Sequence, residues 1–217
     1  MTPNQSKRAR SKDQKVERHE AILAAARDLI RDLGFDGVKM SALANRAGLA
    51  KGTLYLYVRS KEELFLLLFV DALDDVVSRF ENDNALGNDP AQLADRLTEL
   101  AEESALFLPL YARLVAVIEA NVADEPLFDA KRNMAAILER FTVHLAKLMD
   151  LDFERAQLVS RVLMNVMQGT AQFDLTAGRD PAGLPDDLKD AFAIHAFAPN
   201  FRPAAELILR AAPAQND

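Results

Sequence analysis

An all-α fold is predicted for this 217-residue chain, on three observations. Half of its residues are apolar, only eight are glycine, and leucine and alanine dominate, a composition that suits packed helices. Apolar positions recur at three- and four-residue steps over most of its length. The one stretch rich in β-formers, Thr53-Leu54-Tyr55-Leu56-Tyr57-Val58, has no second strand to pair with, and an unpaired strand leaves its backbone groups unsatisfied. A short helix held by packing is therefore expected there.

Residues 1–14 are polar and charged without apolar periodicity and are expected to form a disordered basic tail. From about Lys15 a first helix is marked by Ile22, Ala25, Ala26, Leu29, Ile30 and Leu33, with Gly34 as its stop. A second fits Met40 to Ala47, closed by Gly48. In the short third helix Leu54 and Val58 share the inner face, joined by Leu49, with Leu56 outward and both tyrosines near the surface. Ser60-Lys61-Glu62-Glu63 has the spacing of a capping box, so a long fourth helix should run from Lys61 to about Glu81. Further helices are expected near 90–105, 109–122, 126–149, 153–177, 185–192 and 203–211.

Cysteine is absent, which excludes disulfides and thiolate metal sites. Three scattered histidines and no carboxylate cluster argue against bound metal, and no cofactor is expected. No phosphate-binding glycine loop or nucleophile-base pairing suggests an enzyme. Asp71, Asp74 and Asp75 read as a solvated face. No apolar run is long enough for a membrane span or a secretory leader, so a cytoplasmic protein is expected.

Charge is unevenly placed. Residues 1–63 carry thirteen basic and eight acidic side chains, net +5, whereas the remainder carries thirteen against twenty-five, net −12. A positive end on an acidic body points to a polyanionic partner at that end. Two short helices joined through Gly48 form a helix-turn-helix, whose second helix would enter the major groove of double-stranded DNA.

The segment MSALANRAGLAKGTLYLYVRSKEELF, within residues 18–69, resembles the DNA-binding signature of the TetR/AcrR family of transcriptional regulators. The resemblance implies an N-terminal three-helix DNA-binding domain (15–60), then a helical ligand-binding and dimerisation domain (61–217). It also implies a homodimer, a palindromic operator and an unidentified small-molecule effector that releases a repressor. Lys39 and Ser41 would meet phosphate or a nearby base. Lys51, Gly52 and Thr53 would sit against base edges, and Tyr55, Tyr57 and Lys61 would grip the backbone. Leu56 stands where an aromatic or histidine is frequent, and could meet a thymine methyl. The basic Arg8 and Arg10 could reach a minor groove or simply be solvated. The rival reading is a helical small-molecule-binding protein or enzyme without DNA binding.

For the effector, polar or aromatic residues within apolar helices are the candidates: Phe107, Tyr111, Arg113, Asn121, His144, Asn165, Gln168 and Gln172. Phe65, Phe69, Met164 and Met167 could line the same cavity or be plain core. A second apolar stripe of Val159, Leu163, Val166, Thr170 and Phe173, with Gly169, is expected to meet a second copy together with the last helix.

Overall fold

The computed structural model describes residues 3–174, 176–177 and 183–213, with side chains at Gln14 and from Glu17 onward. Arg8 and Arg10, as side chains, lie outside the described residues. Ten α-helices follow in order among the described residues: α1 (Pro3–Gly37), α2 (Met40–Arg46), α3 (Lys51–Leu54), α4 (Lys61–Glu81), α5 (Pro90–Glu103), α6 (Phe107–Arg113), α7 (Asp124–Met149), α8 (Phe153–Phe173), α9 (Asp186–Ile194) and α10 (Phe197–Arg210). No strand occurs among the described residues.

α1 begins at Pro3, so the stretch expected as a disordered tail is helical from there on; its glutamines, lysines, arginines and alanine are good helix formers. Its buried face is Ile22, Ala26, Leu29 and Ile30, and it breaks at Gly34, whose φ of 69° suits a residue without Cβ. α2 closes in the same way. Gly48 has φ 66°, its amide donates to the Asn45 carbonyl at 3.2 Å, and the Leu49 amide reaches Ala44 at 2.9 Å. That pair of bonds is a Schellman stop, and it aims the chain into α3.

α3 settles the conflict between propensity and context. Leu54 and Val58 are fully buried, and backbone bonds of helical type continue to Val58, which donates to Leu54 at 3.0 Å. Burying one such side chain contributes about 1.5–3 kcal/mol, whereas the whole β-propensity scale spans about 1 kcal/mol. Packing wins. α4 then begins where its cap predicts: the Glu63 amide donates to Ser60 Oγ at 3.0 Å. Glu63 returns the contact to the Arg59 amide at 2.8 Å, one residue before the cap, so the box is shifted outward by one.

α4 is the axis of the molecule. It packs on α1, α5, α6 and α7, while α10 lies between α5 and α8, and α8 also packs on α6 and α7. Its aspartates are not simply solvated: Asp71 pairs with Arg27, Asp74 with Arg140 at 2.6 Å, and Asp75 with Arg79 at 3.8 Å. Arg140 of α7 also holds Glu81 and Ser78 of α4, and its hydrogen bonds to the Glu81 and Asp74 carboxylates push its pKa up. One guanidinium thus rivets α7 along the second half of α4.

Three spans differ from the periodic reading. The expected 109–122 helix starts earlier, at Phe107, and gives way after Arg113 to a π-helical turn, Leu114–Ile118, then a 3-10 turn, Glu119–Asn121. α8 stops at Phe173, short of 177. α10 begins at Phe197 and runs through Pro203, because Phe197, Phe201, Ala205 and Leu209 form a fully buried stripe. Two buried phenylalanines outweigh the roughly 3 kcal/mol that an interior proline costs.

The stripe expected to meet a second copy is divided. Val159 and Leu163 are buried within the single chain, the Thr170 hydroxyl bonds back to Val166 at 2.9 Å, and Phe173 is 74% exposed. An α-helix with two apolar faces does not tell which of them the rest of its own chain covers.

Candidate nucleic-acid interface and effector cavity

The helix-turn-helix presents one continuous polar edge. Lys39 precedes α2 with extended backbone and no capping bond from its side chain, and it is exposed with Ser41 beside it. Lys51 and Gly52 are exposed at the start of α3, and a Cβ built on Gly52 meets nothing within 4 Å. The glycine is therefore not demanded by the chain's own packing; the open space lies outside the chain. Thr53 is half-buried, Tyr55 is 40% exposed and Leu56 is 82% exposed. Tyr57 is half-buried and packs partly on the core.

The cations on this edge are free of carboxylates. Lys51 lies over the Tyr55 ring at 5.9 Å and Lys61 over the Phe65 ring at 5.4 Å. Among the described residues neither they nor Lys39 have an acidic partner. The nearby arginines differ: Arg46 is tied to Asp32 at 3.0 Å and Arg59 to Glu125 at 3.4 Å. Three lysines are left available to a polyanion, two of them steadied by aromatic faces.

Deeper in the body, α6, α7 and α8 enclose two adjoining chambers. The inner one, about 280 Å³, is mostly apolar and is bounded by Phe69 and Leu73 of α4, by Tyr111, and by Leu114 and Val115 of the π turn, with Lys131, paired to Glu119 at 2.5 Å, also at its wall. The outer one, about 620 Å³, reaches the surface past Phe153, Gln157 and Arg161. Tyr111, Ala135, Leu138 and Met164 border both. The Tyr111 hydroxyl donates to the Met164 carbonyl at 3.0 Å, and burial pushes its pKa well up, so it stays a neutral donor. Gln168 Nε2 donates to the Tyr111 carbonyl at 3.4 Å, completing that wall.

Three polar groups of the outer chamber stand out. Ser160 Oγ is buried without a hydrogen-bond partner, and Arg161 and Glu139 both line the chamber, Arg161 with no ion-paired carboxylate among the described residues. Buried hydroxyls are normally satisfied, and an unsatisfied one facing a cavity is a place for a ligand atom. By contrast Thr142, on the same wall, bonds to its own helix at 2.8 Å.

Of the eight residues suggested for the effector, Tyr111 and Gln168 border the inner chamber, and Tyr111 and Asn165 the outer. The other five lie elsewhere. Phe107 is fully buried, stacked on Phe69 at 5.8 Å, and acts as core. Arg113 is exposed and lies over the Phe35 ring at 5.0 Å. Asn121 is exposed and bonds to the Val117 carbonyl at 2.8 Å, a local cap. Gln172 is exposed. His144 stands edge-on to Phe80 at 5.5 Å and borders a different surface cleft with Glu81, Arg140 and Lys147. The periodic reading passed over Ser160 and Arg161, because a serine or arginine within a helix gives no signal until its neighbours are known. No group of three acidic, histidine or cysteine residues is placed to hold a metal among the described residues, and no described helix is long and apolar enough to cross a membrane.

Comparison with known proteins agrees with this architecture. Residues 22–68 match the model of bacterial regulatory proteins of the tetR family, and residues 68–211 the tetracyclin repressor-like C-terminal domain. A fatty acid metabolism regulator protein of Bacillus subtilis (strain 168) is 34% identical over 70 residues, 32% of this chain and 36% of that one. The match thus spans about a third of that relative's length. A TetR transcriptional regulator from Rhodococcus sp. RHA1 superposes with TM-score 0.62 at 18% identity, covering 94% of this chain and all of that one. Thermus thermophilus FadR, a TetR family transcriptional repressor in complex with lauroyl-CoA, gives TM-score 0.57 at 21% identity, covering 89% and 92%. At such identities the solved structures speak for the fold. With the two family models matched in succession over residues 22–68 and 68–211, the chain belongs to the TetR family of bacterial regulatory proteins.

Proposed function

We propose that this protein is a homodimeric repressor that holds a palindromic operator and lets it go when a small molecule fills the chambers between α6, α7 and α8. The observation that carries the reading is the lysine edge of Lys39, Lys51 and Lys61, free of acidic partners among the described residues; Lys61 opens α4, whose Phe69 and Leu73 wall the inner chamber. Lys51, Gly52 and Thr53 face base edges in this reading. Lys39, Ser41, Tyr55, Tyr57 and Lys61 take phosphates, and Leu56 packs on a thymine methyl. The second copy docks on the outward face of α8, carrying Leu158, Gly169 and Phe173, with Leu207 of α10. Two recognition helices about 34–36 Å apart then read two half-sites.

The effector suited to the chambers has an apolar body for the inner one. Its polar or anionic group lies in the outer one, within reach of Ser160 and Arg161. Filling the inner chamber biases α4 and with it the separation of the recognition helices; a ten- to hundred-fold change in affinity needs only about 1.4–2.8 kcal/mol of coupling.

Selection of duplexes from random DNA tests the reading. A two-fold symmetric site should be recovered, and its affinity should fall with salt at a log-log slope of about −4, from Lys39 and Lys61 of each protomer. Leu56→Ala should relax preference at a T·A pair and leave the other positions alone. Lauroyl-CoA, whose acyl chain and anionic head match the chambers, serves as the first probe for release. Recovery of no preferred duplex would leave the carrier reading in place.

A further inference from the structure

We propose that Arg113 is a positioning residue for operator binding, a second joint beside α4 between the effector chamber and the helix-turn-helix. The inference rests on the regulator reading above. Arg113 is the last residue of α6, and its guanidinium carbon lies 5.0 Å from the centroid of the Phe35 ring. Phe35 directly follows the Gly34 break in α1 and begins the turn that leads into α2. Its other contact is edge-on with Phe65 of α4, at 5.5 Å and 81°. A body residue thus closes a three-membered stack, Arg113–Phe35–Phe65, on the hinge of the DNA-binding unit.

The arrangement is built for that purpose on both sides. Arg113 Nη1 donates to the Pro109 carbonyl at 2.8 Å, which aims the guanidinium, and no carboxylate competes for it among the described residues. Guanidinium is weakly hydrated and stacks well on rings. On the chamber side, Tyr111, Leu114 and Val115 flank Arg113 in sequence and border the inner chamber. Leu114 opens a π-helical turn, a feature that accumulates at functional positions. Whatever fills the inner chamber presses on the turn that carries Arg113. Arg27 of α1 also pairs with Asp71 of α4, whereas the Arg59 to Glu125 bridge is long at 3.4 Å and solvent-exposed, so it holds little.

The full-length protein, a selected duplex and four variants test the joint. Arg113→Gln should weaken duplex binding by about five- to thirty-fold, since two protomers each lose one exposed cation–π contact. Arg113→Lys, which keeps a cation but loses the planar guanidinium and its aim from Pro109, should fall between Arg113→Gln and wild type. Phe35→Leu should cost as much as Arg113→Gln, and the double variant no more than either alone. Independently of DNA, hydrogen exchange of the free protein should show Phe35–Arg46 amides exchanging faster in Arg113→Gln, with α5, α8 and α10 unchanged. Additive losses, an Arg113→Lys as impaired as Arg113→Gln, or unchanged exchange would overturn the joint. A wild-type protein that selects no duplex would instead sink the regulator reading, and the exchange pattern would still judge the contact.

Discussion

Truncating Phe107 to alanine is expected to destabilise the body by about 3–5 kcal/mol, the range for removing a fully buried phenylalanine. Phe107 is completely excluded from solvent in the first turn of α6. Its ring lies nearly parallel to Phe69, at 5.8 Å and 12°, and 5.4 Å from Tyr111. Both neighbours border the inner chamber, so the void left behind would open onto it and the chamber wall would slacken. Chemical denaturation at fixed protein concentration measures the loss. If Phe107 were instead a ligand-facing side chain, the substitution would leave stability within about 0.5 kcal/mol and affect only effector binding. Either outcome is plain, because the two readings differ by several kilocalories.

Replacing Lys51 with alanine is expected to have the opposite profile: no change in unfolding, and a loss of operator affinity of about thirty-fold or more. Its side chain is exposed and lies over the Tyr55 ring at 5.9 Å, so folding depends little on it. A good base contact contributes about 1–3 kcal/mol of discrimination, and a symmetric dimer loses two of them. Lys51→Arg should retain the charge and much of the binding while shifting preference at the contacted base pair. Titration of the selected duplex at two salt concentrations separates lost specificity, which is salt-independent, from lost phosphate contact, which is not. Undiminished affinity in Lys51→Ala would remove α3 from the groove.

The DNA-binding half is largely legible in the amino-acid sequence because its signals are local. Gly34 and Gly48 stand where a positive φ is required, and Ser60 caps α4 with an oxygen three residues from the amide it accepts. The spacing of Leu54 and Val58 places Leu56 outward, as found. In the body the same periodic reasoning loses its footing. At Leu114–Ile118 one extra residue enters the turn, so a count of 3.6 misplaces the side chains around it: Arg113 leaves the cavity for Phe35, and Asn121 caps its own turn. On α8 both faces are apolar, and only the docking of α7 and α10 shows that Val159 and Leu163 are interior while Leu158 and Phe173 are left outside.

The chain alone determined most of its helices, the caps around α2 and α4 and the lysine-bearing edge, since each depends on residues within one or two turns of one another. Tertiary structure decided which polar groups share a cavity, which apolar stripe stays open, and that Ser160 and Arg161 border the outer chamber where Gln172 does not. The physical reason is range. A cap or a helical period is settled by neighbours along the backbone, whereas a chamber exists only once three distant helices have taken their angles around α4.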